Sequence, residues 1–532
     1  MLSLMRLRKF AASIVLTAML SQSAFAGTFY VDINGDNDPD TCVENESDND
    51  NDCTFRDALS QVSDGDTITF MENTTITAAS GYTLATPNVT IQNGGFTADI
   101  DGNGTSADGL TITSAADGST VKGLILRGWS GAGIDINSGA DGITIGGLDS
   151  DDDLVVSGLQ SDESTVDANV YGLFIQGTNV IVRGSVFSGN TNDGIYIGNG
   201  AADIRIEGNA IGTSGDGSTD KGNGDNGIEI DDGGSGSLNL NSGESDTLSG
   251  NNQVLNGLYI GDYQNDSGEN LKQNNISGNA GDGITFGSST SGDDIKGTVE
   301  IMGNAIGTTS DFNTAMGNDT YGIFIDEYNT SLNVTIGTDG DGTNDANEGN
   351  NISDNGNHGI FAEVSGTLII AGNIIGLVDN GTANYRTDAG NEADGINAYA
   401  NNLRIGSDNA DANEYNTVSN STDDGIEAAG PTVTVAGNYI GFDPTGVGDQ
   451  GNGGAGILIN DDETVTLNIG TANGRNYIGN NGEMVEKVQL LWMICLLLGQ
   501  VKLGIILLVW SQVFRLRLQI LMLQVVMVQV SL

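Results

Sequence analysis

Asn304-Ala305-Ile306-Gly307, followed by Gly317-Asn318 and Gly322-Ile323, is one of four copies of a single pattern. The others are Asn209-Ala210-Ile211-Gly212 with Gly222-Asn223 and Gly227-Ile228, Asn373-Ile374-Ile375-Gly376 with Gly390-Asn391 and Gly395-Ile396, and Asn438-Tyr439-Ile440-Gly441 with Gly451-Asn452 and Gly456-Ile457. Self-similarity at such intervals marks a solenoid, in which no repeat buries its apolar face alone. Segments such as Gly194-Ile195-Tyr196-Ile197 and Gly322-Ile323-Phe324-Ile325 alternate apolar and polar residues after Asn/Asp/Gly turns, the pattern of short strands. A second series, Ile336-Gly337-Thr338, Ile405-Gly406-Ser407 and Ile469-Gly470-Thr471, advances in step with the first; Ile306 to Ile375 and Ile336 to Ile405 are both 69 residues. At roughly 22 residues per coil this superrepeat is three coils, residues 64–482 hold roughly 19 coils, and the stack is about 90 Å long. Asn209, Asn304, Asn373 and Asn438 are read as structural residues at strand-to-turn corners, where Asn tolerates left-handed backbone and bonds neighbouring peptides.

The 532 residues include 80 Gly and only 4 Pro, a composition suited to many short strands and tight turns. Lys and Arg number 18 against 71 Asp and Glu, a formal net charge of −53. Nucleic acid is thereby excluded as a partner, because phosphate contacts need a basic face. Divalent cations are favoured and anionic polymers repelled.

Residues 1–26 read as a secretory signal: Arg6, Arg8 and Lys9, then the apolar run Phe10–Leu20, then Ala24-Phe25-Ala26 as a small-x-small cleavage site. Residues 27–63 form an N-terminal cap. Thr28–Val31 is a strand, and Phe55, Ala58, Leu59 and Val62 share one face of a short helix with Thr54 as its N-cap. A helix there covers the open end of the first coil. In an exported chain, Cys42 and Cys53 are expected to form a disulfide.

Cys53-Thr54-Phe55-Arg56-Asp57-Ala58-Leu59, followed by Asp64-Gly65-Asp66-Thr67-Ile68, resembles the CSLREAI-type motif that precedes right-handed, pectate-lyase-like parallel β-helix repeats in bacterial exported and surface proteins. The resemblance implies an all-β right-handed parallel β-helix with a short helical cap, placed outside the cell or on its surface. It implies no reaction.

Asp32, Asn34, Asp36, Asp38 and Asp40 place oxygens at alternate positions around a glycine turn, and Ca²⁺ is the cofactor expected there. The loop is no EF-hand, since Asn37 and Val43 stand at its sixth and twelfth positions. Asp149–Asp153 is a second candidate. For catalysis the sequence offers little. Acidic residues are too many for any pair to stand out, and the cations, including Arg127, Arg205 and Arg404, do not cluster. Arg205 lies between Ile204 and Ile206 and is read as an outward surface residue. Trp129 is the only tryptophan before residue 483, and the lone histidine, His358, lies in an Asn-rich turn.

From residue 483 the chain changes character: residues 483–532 contain no Asp or Asn but two of the three Trp, and Cys495. Leu490–Trp510 has the length of a membrane span, although Gln500 and Lys502 sit near its centre. Regrouping the codons gives Asp at Trp492-Met493 and Gly at Met484-Val485 and Met527-Val528, the composition of the stack. The tail is therefore read as the product of a frameshift, and a membrane is a partner only if the tail is genuine. The function expected is a non-catalytic exported surface or matrix scaffold, stabilised by calcium, that binds a polysaccharide or a cell-surface or matrix protein. The alternative is a polysaccharide lyase or glycoside hydrolase on the same fold.

Overall fold

The computed structural model describes residues 26–486 except 33–34, 37–41, 43–52, 148–154, 163–164, 232–237, 241–256, 262–272, 288–294, 328–331, 343–344, 380–384, 387–388, 408–410, 412, 447 and 461–465. The signal segment up to residue 25, Asn34, Asp38, Asp40, Asp149–Asp153 and the chain beyond Glu486 lie outside the described residues.

The chain winds into a right-handed parallel β-helix with three strands per coil. Thr67–Phe70, Thr74–Thr77 and Tyr82–Leu84 open its first, second and third sheets. Each strand pairs in parallel with its counterpart one coil on, as Thr67–Thr69 does with Thr90–Gln92 and Tyr82–Leu84 with Leu110–Ile112. Along every strand alternate residues point inward, so Ile211, Ile276, Ile306, Ile352 and Ile375 stack through the interior with 0% exposure. Ile360–Ala371 and Ile396–Gly406 pass through the corner between the third and first sheets without a break.

The second sheet has thirteen strands, so the described stack has thirteen coils and not roughly nineteen. The superrepeat is two coils, not three. Asn304, Asn350 and Asn373 occupy equivalent corners, separated by 46 and then 23 residues; Asn373, Asn416 and Asn438 follow at 43 and 22. The uniform coil length assumed from sequence fails because the chain leaves the helix at its corners and returns to the same register. The third sheet also gains Glu483–Glu486, paired with Ala455–Leu458, so the stack runs past residue 482.

Two lines of buried amides run along the corners. Asn209, Asn274, Asn304, Asn350, Asn373, Asn416, Asn438 and Asn476 form one, each Nδ2 donating to the next Oδ1 at 2.9–3.0 Å. Asn190, Asn223, Asn279, Asn318, Asn355 and Asn391 form the other, and Asn452 and Asn481 continue it beyond Ser421. The left-handed backbone expected at the motif asparagines belongs instead to the glycines beside them: Gly303 has φ 63° and Gly307 φ 77°. A Cβ on Gly307 would lie 2.0 Å from the Ser353 carbonyl.

At the N-terminus, β1 (Thr28–Val31) pairs with Thr67–Phe70, and α1 (Phe55–Gln61) closes the first coil. Thr54 Oγ1 accepts the Asp57 N–H at 3.1 Å, which caps the helix. Phe55 packs between Phe70 and Tyr82, with ring centroids 5.6 and 4.9 Å away. Cys42 and Cys53 form a disulfide. Such bonds persist in oxidising compartments.

Candidate functional site

The motif coils and the coils between them differ in one respect. In motif coils the chain after the second-sheet strand projects outward before reaching the second amide line. Thr213 and Asp220 bridge the base of one such loop, and Thr308 and Ala315 the base of the next. In the intervening coils, Asn274-Asn275-Ile276-Ser277-Gly278-Asn279 and Asn350-Asn351-Ile352-Ser353-Asp354-Asn355 reach the second line with no projection. A serine replaces the motif glycine there and ties down the loop of the following coil: Ser277 Oγ donates to the Thr308 carbonyl at 2.8 Å and accepts the Thr308 N–H at 3.1 Å. Ser353 Oγ likewise donates to the Leu377 carbonyl at 2.9 Å.

These loops wall a groove of about 700 Å³ over the outer face of the second sheet. Its floor includes Ala210, Asn275, Asn351 and Ile374, the outward neighbours of the core isoleucines. The two loops lean on each other, Ser310 donating through Oγ to the Asp216 carbonyl at 2.9 Å. Phe312 holds the lip with φ 59°, an unusual conformation for an aromatic residue, fixed by its N–H bond to the Thr309 carbonyl at 2.9 Å. Asn275 donates through Nδ2 to the Thr308 carbonyl at 2.6 Å, while its Oδ1 has no partner. Among the described lining residues Asp216 alone is ionisable. Hydrogen bonds from Ser214 and Ser218 hold its carboxyl below the usual carboxylate range.

The outer face of the third sheet is different. One coil apart, Tyr196 and Glu229 are register partners, as are Glu229 and Thr285, Thr285 and Phe324, Phe324 and Phe361, and Phe361 and Asn397. The Phe324 and Phe361 rings stack at 5.3 Å, and Tyr321 stacks on His358 at 5.6 Å. Tyr171, Phe174 and Tyr196 make a second aromatic group, with centroids 4.9–5.9 Å apart. Between the groups lie Asp193 and Glu229, which with Asp225 bring carboxylate oxygens within 4.8 Å of one another. Burial and the neighbouring carboxylate push Glu229 up to about 8; burial pushes Asp193 up to about 6. The pair therefore holds a proton near neutral pH. Farther along, His358 Nδ1 lies 3.2 Å from Asp394, whose carboxyl is lowered despite burial by hydrogen bonds from His358, the Asp424 N–H and Asn397.

Two further acidic groups have metal-like spacing: Asp394, Asp424 and Glu427 on this face, and Asp339, Asp345 and Glu348 on the loop after the first-sheet strand Leu332–Gly337. Burial pushes Glu348 and the nearby Glu300 each up to about 7.

The expected site residues fare unevenly. Asp36 is engaged on both carboxylate oxygens: Oδ1 accepts from Arg56 Nε at 3.1 Å and the Tyr82 hydroxyl at 2.6 Å, and Oδ2 from Arg56 Nη2 at 2.9 Å and the Ala79 N–H at 2.6 Å. Asp32 Oδ1 accepts the Cys53 N–H at 3.0 Å. Both carboxylates thus brace the cap. Arg205 is not a surface residue; it is 3% exposed, within a strand (Ala202–Glu207) buried along its whole length. Arg127 lies among Asp99, Asp101 and Asp167, and Arg404 pairs with Glu414. Trp129 is 2% exposed and offers no platform for a sugar. The aromatic groups were missed because rings that stack across coils, such as Phe324 and Phe361, stand a whole coil apart in sequence. Asn275 was missed because the serine-bearing coils were not recognised as repeats, and Phe312 because it lies in the loop between the two halves of the motif. The recurring Asn-x-Ile-Ser-x-Asn at 274–279 and 350–355 was the available signal.

No helix among the described residues is long and apolar enough to cross a membrane. No protein-family model matches the chain, and no curated protein does. Solved structures similar to it include the pectate lyase Pel9A (12% identity, 87% of this chain and 82% of that one, TM-score 0.28). The periplasmic alginate epimerase AlgG matches at 11% identity over 81% of this chain and 83% of its own, TM-score 0.27. The A-module of the Azotobacter vinelandii mannuronan C-5 epimerase AlgE6 matches at 14% over 80% and 85%, TM-score 0.27. These figures are too low for any residue role to pass from those proteins to this chain.

Proposed function

We propose that the chain is an exported, non-catalytic surface or matrix protein that holds a neutral polysaccharide in the groove over the second sheet. The observation that carries this reading is the groove's lining which, among the described residues, consists of amides, hydroxyls, glycine backbone, small apolar residues and one aromatic ring, with Asp216 as the sole ionisable group. A glycan presents hydroxyls, for which the groove's amides and hydroxyls are partners, and apolar sugar faces, for which Phe312 is a surface. Acid–base chemistry needs a poised proton donor and acceptor, and the groove lining lacks that pair. The net charge of −53 disfavours uronate polymers. The leader-like residues 1–26 and the Cys42–Cys53 disulfide support export.

Electrophoresis of the full chain through gels containing glucan, mannan, xylan, pectin or alginate tests this. Retardation by at least one neutral polymer and by neither uronate is expected. Retardation by uronates alone, or by nothing, contradicts the proposal.

The Asp193–Glu229 pair favours a second reading, acid–base cleavage of a neutral glycan on the third sheet with Glu229 as the proton donor, although its carboxyls hydrogen-bond each other and stand closer than the pair of an ordinary glycosidase. Reducing ends released from a neutral polymer by the wild type, and abolished in Glu229→Gln, would establish that reading in place of the first.

A further inference from the structure

The loop after the first-sheet strand Leu332–Gly337 carries the acidic group Asp339, Asp345 and Glu348. We propose that it is a Ca²⁺ site. One oxygen from each side chain lies within 4.8 Å of the others, the spread of ligands on opposite sides of an ion with bonds of ~2.4 Å.

Acidic groups recur over this protein, and what separates this one is Glu348. The residue is only 8% exposed; Thr338 and the Asp339 backbone bond its carboxylate, yet its Oε2 is buried with no hydrogen-bond partner among the described residues. Asp345 is 6% exposed and turns Oδ1 to the Gly342 N–H at 3.0 Å. Asp339 Oδ1 accepts the Asp341 N–H at 2.9 Å, which folds the loop back on itself. A buried carboxylate oxygen without a donor is costly, and a cation meets that cost where no protein donor does. Neither of the other two groups contains such an orphaned buried oxygen among the described residues. Asp193 accepts the Asn226 N–H at 2.9 Å, and Asp394 accepts the Asp424 N–H at 2.9 Å and Asn397 Nδ2 at 3.0 Å. An all-oxygen, all-carboxylate set selects a hard cation, and Ca²⁺ completes its shell from backbone carbonyls and water.

The same loop runs on through Ala346, Asn347 and Gly349, which line the groove. An ion held by Asp345 and Glu348 therefore fixes the wall on which the glycan-binding reading rests. The metal site stands without that reading, because its test reads the ion directly.

Calorimetric titration of the full chain with CaCl₂, after dialysis against EDTA, gives that test. Saturable Ca²⁺ binding is expected, with the tightest site weakened at least tenfold in Glu348→Gln and Asp345→Asn and unchanged in Glu427→Gln, which alters a different acidic group. Exposed Asp339→Asn should show the same loss with no risk to folding. Melting in EDTA separates the alternatives further: Glu348→Gln should melt no lower than the wild type, and calcium should not raise its melting temperature. Absence of saturable binding, or wild-type affinity in Glu348→Gln and Asp339→Asn, overturns the site. Loss in Glu427→Gln alone moves calcium to the third sheet and equally overturns it.

Discussion

Asn373 accepts the Asn350 N–H at 3.1 Å and Asn350 Nδ2 at 2.9 Å, and donates to the Ile336 carbonyl and to Asn416 Oδ1 at 2.9 and 3.0 Å. Alanine at that position leaves buried donors on Asn350 and a buried carbonyl on Ile336 without partners, at ~1–3 kcal/mol for each group. Asn373→Ala is therefore expected to destabilise its region by ~3 kcal/mol or more. A stack of coils need not unfold as one unit, so the readout is local. Amide exchange at Ile352, Ile375 and Val418 should accelerate, while Ile68 and Ile91 near the cap stay protected. Unchanged exchange around residue 373 would show that the amide line bears no such load. The importance of these asparagines was visible in the sequence, but their task was not. Left-handed backbone and amide stacking are both compatible with Asn in a turn. Only the adjacent Gly303 and Gly307, which take the positive φ, separate the two roles.

At the scale of one sheet face, the Asp193–Glu229 pair makes stability depend on pH. The folded-state values of about 6 and about 8 stand above the ordinary carboxylate range, so the folded protein binds the extra proton. The stabilisation is fully present below the unfolded values and is lost as pH rises through the folded ones. The melting temperature should fall between about pH 5 and pH 8, and Glu229→Gln should flatten part of that slope. A wild-type melting temperature that rises over the same interval would contradict the geometry of the pair. The strands of this face were legible in one dimension, but not which of their outward residues meet across coils. Glu229 and Thr285 are neighbours on the sheet, yet the chain makes an entire excursion between them. Periodicity revealed the strands, since an inward isoleucine needs only its immediate neighbours to declare itself. It misjudged the coil count, because register survives corner loops of any length. The cap was the most legible element: Phe55, Ala58 and Leu59 are the buried residues of α1, and Thr54 caps it.

On the scale of the whole molecule, a rigid stack of thirteen second-sheet strands carries two unlike long faces. One is a neutral groove walled by paired loops, and the other an acidic face with aromatic groups. Binding is proposed for the first and acid–base chemistry for the second, so single substitutions on the two faces separate the two readings. The most direct measurement is the retardation of Phe312→Ala and Glu229→Gln beside the wild type in gels containing the neutral polysaccharide that retards it most. Phe312 sits at the groove lip and not in the core, so its truncation should leave the fold intact and weaken retention at least tenfold, while Glu229→Gln migrates as the wild type does. Full retention in Phe312→Ala, with retention lost in Glu229→Gln, would contradict the account and place the glycan on the third sheet.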